Sequence, residues 1–183
     1  MAAAPAGAQE ISLGYQWQRI SVDADEISSD CCTAPVGINV DVSAPLTPAL
    51  DFVGQLDWSR WSESQVILGT SVDASLDFTT FGAGIRWSAR RNRGARGATP
   101  YLQGLLGATH TSIGCDVGGF DCDDVLTDDE TSATDFMFQI GGGVAVPMGG
   151  VSLVGQFDYR RILFEGEGAN GIRFVAGVRV SLR

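Results

Sequence analysis

Val151–Arg183, VSLVGQFDYRRILFEGEGANGIRFVAGVRVSLR, decides how this chain is read. It consists of two alternating stretches joined by a short acidic, glycine-rich segment. In the second stretch Ile172, Phe174, Ala176, Val178, Val180 and Leu182 share one parity, against Arg173, Val175, Gly177, Arg179 and Ser181. In the first, Val151, Leu153, Gly155, Phe157 and Tyr159 stand against Ser152, Val154, Gln156, Asp158 and Arg160. Successive side chains on a strand point to opposite sides, so this period of two predicts a hairpin with one apolar face and one charged face. Two environments accommodate such a hairpin. In a soluble sheet or lipocalin-like barrel the apolar face meets a core and the charges meet water. In a transmembrane barrel the apolar face meets lipid and the charges pair inside.

The remaining sequence repeats the pattern. Stretches at Glu10–Ile20, Val36–Leu46, Leu50–Trp58, Thr79–Ala89, Tyr101–Ser112 and Asp135–Pro147 each alternate apolar with polar residues, Leu105 being an apolar residue on the polar side. With the terminal hairpin this predicts eight strands and no helix. The connections after the first, third and fifth strands are long and acidic, and the last is short and acidic. Those after the second and sixth are tight, and that after the fourth, RRNRGARGAT, is basic. Alternate connections of an up-and-down meander lie at the same end, so one rim carries long acidic loops and the other short turns, as in outer-membrane barrels.

Composition narrows the function classes. No apolar run approaches the roughly 18 residues of a membrane helix. The net charge of −10 argues against a nucleic-acid partner, which calls for a basic footprint. The 183 residues suit one domain, with Met1–Gln9 an export-signal remnant or disordered tail and residues 10–183 the barrel.

Three features favour lipid outside. The strands run about ten residues, enough to cross a bilayer when tilted. Tyr15, Trp17, Trp58, Trp87 and Tyr159 fall on the apolar face near strand ends, the place of an aromatic girdle. The polar face mixes long side chains with glycines, as a narrow lumen filled by side chains requires. Asp41, Asp57, Arg86, Asp158, Arg160, Arg173 and Arg179 are therefore expected to form a lumen charge network. The fold class is all-β: an eight-stranded antiparallel up-and-down transmembrane barrel with short periplasmic turns and longer acidic extracellular loops.

Strand order, loop alternation and the segments TPYLQGLLGATH, FQIGGGVAVPMGGVSL and FDYRRILFEGEGANGIRFVAGVRVSL resemble the small outer-membrane β-barrel family, which includes porin-family and opacity-like proteins and the barrel of outer-membrane protein A. The resemblance covers Glu10–Arg183. It implies the Gram-negative outer membrane, lipid as surroundings, and a barrel-assembly machinery that reads the last strand. That strand usually ends on an aromatic, whereas here the residues are Ser181, Leu182 and Arg183.

Candidate chemistry is sparse. His110, the single histidine, precedes Ser112 by two residues. This spacing is similar to the His-x-Ser of lipid A deacylases, with Glu130 or Asp135 as the orienting acid. His-x-Ser alone is a weak signal, so an interfacial histidine without catalytic role is the expectation and the hydrolase the alternative. Cys31, Cys32, Cys115 and Cys122 are candidate disulfide partners, with three connectivities open. The loop CDVGGFDCDDVLTDDE is rich in carboxylates but lacks EF-hand spacing, so a solvated loop is expected rather than a metal site, and no cofactor is expected. The expected function is a structural or surface-recognition barrel with an unknown surface ligand. A porin-like pore, the lipid A hydrolase and a soluble binding barrel are the alternatives.

Overall fold

A computed structural model describes residues 9–24, 27–34, 36–67, 70–89, 97–117, 120–121, 132–164 and 168–182, with side chains at 9–21, 37–64, 66, 73–89, 97–114, 132–164 and 168–182. The elements are β1 (Glu10–Ala24), β2 (Ile27–Ala34), β3 (Val36–Pro45), β4 (Leu50–Ile67), β5 (Thr70–Ser88), β6 (Thr99–Val117), β7 (Phe120–Asp121), β8 (Ser132–Met148), β9 (Val151–Leu163) and β10 (Gly168–Ser181).

Every pairing is antiparallel. Eight staves follow one another as β1, β3, β4, β5, β6, β8, β9 and β10, and β10 returns to β1 to close the cylinder. The seam runs from Glu10 opposite Ser181 to Val22 opposite Ala169. The Leu182 amide extends it by donating to the Gln9 carbonyl at 2.7 Å. Closure removes the unpaired edges that no solvent could satisfy in a bilayer.

The tight connections have local causes. Between β3 and β4 the Thr47 hydroxyl accepts from the Leu50 amide at 3.1 Å. Between β8 and β9 the two-residue turn needs a positive φ, which Gly149 supplies at 72°.

Side-chain direction settles the environment. Leu13, Phe81, Leu102, Leu106, Ile140, Phe157 and Phe174 are each at least half exposed on the outer wall. Gln16, Asp57, Asp158 and Arg173 are buried inside. The soluble-barrel alternative requires the reverse and is overturned. Phe138 does not point to the axis but packs on the outer wall against Tyr159, with ring centroids 6.4 Å apart.

The expected strand limits are corrected at the loop end. The polar segments after the first and third strands do not leave the sheet at the apolar boundary. β1 continues to Ala24 and folds back as β2, pairing Ala24 with Ile27. β4 and β5 stay paired from Trp58 opposite Thr79 up to Ile67 opposite Thr70. Backbone hydrogen bonds hold a ladder without a lipid-facing side, so the loss of apolar alternation marks the end of the membrane wall rather than of the strand.

Candidate functional site

Among the described residues, charged and polar side chains converge in the lumen, which is built in layers. Glycine parity makes the space. A Cβ at Gly141 would collide with the Asp158 carboxylate and the Phe157 carbonyl, and one at Gly143 would lie 2.6 Å from the Tyr101 hydroxyl.

The central layer joins Asp57, Asp158, Arg160 and Arg173. Arg160 and Asp57 sit on staves four places apart in a ring of eight, so their contact spans the barrel's diameter. It is bidentate, with Nη1 donating to Oδ1 at 3.0 Å and Nη2 to Oδ2 at 2.7 Å. Arg173 donates to the Asp158 carboxylate at 2.7 Å and to Asp57 at 3.2 Å. Gln16, Gln55, Gln139 and Thr80 supply further partners. Planar guanidinium forks suit such two-point contacts with carboxylates.

Nearer the short turns, Arg86 Nη2 donates to Asp41 at 3.1 Å, and its Nε and Nη2 both donate to Gln103 Oε1. Arg179 Nε donates to Ser12 at 2.9 Å, and a terminal nitrogen of Arg179 lies 3.9 Å from Glu10. The Tyr101 ring lies 4.8 Å from the Arg86 guanidinium carbon and 5.1 Å from that of Arg179. Its hydroxyl donates to Gln156 at 2.8 Å, and Gln156 in turn donates to Asp158 at 2.7 Å. Tyr101 thus links the two layers. At the loop end Ile20, Phe78, Met137, Ile162 and Ala169 form an apolar cluster inside the cylinder, backed by Leu76 and Phe164.

The sequence-derived residues therefore fall into two groups: Asp57, Asp158, Arg160 and Arg173 in one, Asp41 and Arg86 in the other with Arg179 beside them. Tyr101 and Glu10 were missed. Parity with Gln103 would have turned Tyr101 inward, and parity with Ser12 would have placed Glu10 on the lumen face.

Other sequence candidates separate. His110 is exposed on the outer wall, where its Nδ1 lies 2.9 Å from the Thr134 hydroxyl. Asp135 shares its parity with the buried Met137 and Gln139, so it faces inward and does not orient His110. The alternative triad with Asp135 is not assembled, because neighbouring strand positions face opposite sides. Glu130, Cys122 and most of the acidic loop lie outside the described residues, as do the side chains of Cys31, Cys32 and Cys115.

An inward charge layer, an outward apolar wall and a closed ring of eight staves agree with the comparisons. The family described as outer membrane protein beta-barrel domain matches residues 1–182. The chain belongs to that family. Its place is the Gram-negative outer membrane. Comparison with curated proteins returns no match. Among solved structures it is similar to Neisserial surface protein A, at 16% identity over 95% of this chain and 97% of that one, with a TM-score of 0.63. Ail, the attachment invasion locus protein of Yersinia pestis, was crystallised with the heparin analogue sucrose octasulfate. It shares 19% identity over 94% of this chain and 98% of its own, with a TM-score of 0.59. The outer membrane protein OprG from Pseudomonas aeruginosa gives 8% identity, 97% coverage of both chains and a TM-score of 0.58. At these identities the likeness is one of fold.

Proposed function

We propose that this barrel is a non-enzymatic anchor that presents its acidic loops for recognition at the cell surface. The observation that carries the reading is the filled lumen. A diameter-spanning Arg160–Asp57 contact crosses the middle, and the apolar cluster around Phe78 and Met137 caps the loop end. An interior of eight staves is just wide enough to be occupied by side chains, which disfavours a porin-like path for solutes. The separation of His110 from Asp135 likewise disfavours the hydrolase.

Ail is an attachment protein crystallised with a polyanion. A net charge of −10, with carboxylates crowding the loop at Asp116–Glu130, favours a cationic or neutral surface partner here instead. The charge network serves rigidity, and the barrel-assembly machinery and outer-membrane lipid are the partners of biogenesis.

The test replaces residues 118–131 with a glycine-serine linker. Heat-modifiable migration is expected to persist while retention of barrel-bearing vesicles on a polylysine-coated surface falls. Unchanged retention, or stepwise conductance of the parent in planar bilayers, would discard the proposal.

A further inference from the structure

The outer wall changes character at one height on three neighbouring staves. On β1 the outward residues run Ile11, Leu13, Tyr15 and Trp17, and then Arg19. On β9 they run Val151, Leu153, Gly155, Phe157 and Tyr159, and then Arg161. On β10, followed from its C-terminal end, they run Val180, Val178, Ala176, Phe174 and Ile172, and then Asn170. Register aligns these transitions: Arg19 lies beside Ile172 and Ile172 beside Tyr159, while Ser21 lies beside Asn170 and Asn170 beside Arg161. A cleft of about 310 Å³ opens there, lined by Arg19, Ser21, Tyr159, Asn170, Gly171 and Ile172. Arg161 Nη1 donates to Asn170 Oδ1 at 3.3 Å, which sets a second guanidinium on the rim.

We propose that this cleft binds the phosphate of an outer-leaflet lipid. The apolar wall below it occupies the acyl region, so the group at this height is a headgroup. Arg19 and Arg161 stand two strands apart, roughly 10 Å at the backbone. Two long side chains can close that gap around one multi-oxygen anion. Guanidinium has five donors in a planar fork matched to the oxygens of a phosphate. Ser21 and Asn170 add neutral hydrogen-bonding groups, and Ile172 and Tyr159 continue the wall for the attached chain. The chain as a whole carries a net charge of −10, and screening over about 8 Å confines that repulsion, so binding depends on this local pair.

The site is independent of any surface partner and is tested with the full chain in phosphate-free maltoside micelles. The probes are bisphosphorylated lipid A and the same lipid after enzymatic dephosphorylation, with inorganic phosphate as competitor. The parent is expected to bind the phosphorylated lipid at least about tenfold more tightly than the dephosphorylated one. The double variant R19Q/R161Q is expected to lose about tenfold in affinity while keeping its heat-modifiable migration. R60Q serves as control, because Arg60 points outward on another stave, 3.8 Å from Asp77, and is expected to bind as the parent does. Equal affinity for the two lipids overturns the proposal without recourse to any variant. Equal losses in R60Q and the double variant overturn the location. Displacement of the lipid by millimolar inorganic phosphate would mean a free-anion site and overturns the lipid source.

Discussion

Every guanidinium nitrogen of Arg173 has an acceptor: Nε and Nη2 reach Asp158, Nη1 reaches Gln16 and Asp57, and Nη2 also reaches Gln55. Removing that side chain leaves two carboxylates, Asp57 and Asp158, buried beside fewer cations. Arg173→Ala is expected to cost about 3–5 kcal/mol, measured by urea titration in lipid vesicles. A loss below about 1 kcal/mol would place the charges in a wet channel, where exposed pairs contribute little. Gly141 tests the same layer from the other side. Its missing Cβ is the space the Asp158 carboxylate fills, and the Phe157 backbone carbonyl beside it cannot swing away. Gly141→Ala is therefore expected to lower the urea midpoint, whereas Gly155→Ala, where a Cβ meets nothing within 4 Å, is expected to leave it unchanged. The inward direction of these residues was legible in the sequence, because parity alone assigns it. Their partners were not. Arg160 and Asp57 are separated by 103 positions, and only the stagger of a closed cylinder brings them to one height.

At the scale of elements, β4 and β5 outrun the wall they belong to. Their outward residues turn polar at Arg60 and Asp77, yet pairing continues to Ile67 opposite Thr70. The apolar alternation read from sequence ends near Trp58, since lipid contact imposes that pattern and lipid ends there. Above that height Trp61, Val66, Ile67, Thr70 and Val72 still favour extended backbone, but no second medium sorts the faces, so strand and loop look alike in the sequence. Amide exchange distinguishes them. Protection is expected to persist from Trp58 to about Val66 on β4 and from Val72 to Phe78 on β5, falling gradually toward the tip. Immediate exchange of every amide beyond Arg60 would restore the loop reading. A second feature of the elements was visible in parity, though its cause was not. Leu105, Val53 and Met137 are apolar yet wholly inside. They occupy polar-face positions because a lumen must be filled as well as charge-balanced, and Met137 packs in the apolar cluster with Ile20, Phe78, Ile162 and Ala169.

For the molecule as a whole, one medium surrounds the wall and another fills the axis, and each makes a substitution costly for a different reason. Leu106 is 60% exposed near the middle height of β6, between Leu102 at the short-turn end and His110 at the loop end. Arginine at Leu106 would hold a charge against acyl chains, at about 2–4 kcal/mol, while arginine at Leu102 can reach the headgroups and should cost about 0–1 kcal/mol. The two positions have almost the same exposure, 60% and 62%, so burial within the protein predicts no difference between them. Depth in the bilayer predicts a large one. Urea titrations of Leu106→Arg and Leu102→Arg in vesicles separate the two causes, and repeating them in short-chain micelles, where water lies close to every height, should shrink the gap. Equal costs at both heights would mean that the outer wall does not face lipid. The filled axis, the closed seam and the paired arginines would then need another explanation, since only a hydrocarbon exterior makes it favourable to turn this many apolar side chains outward and seal the charges within.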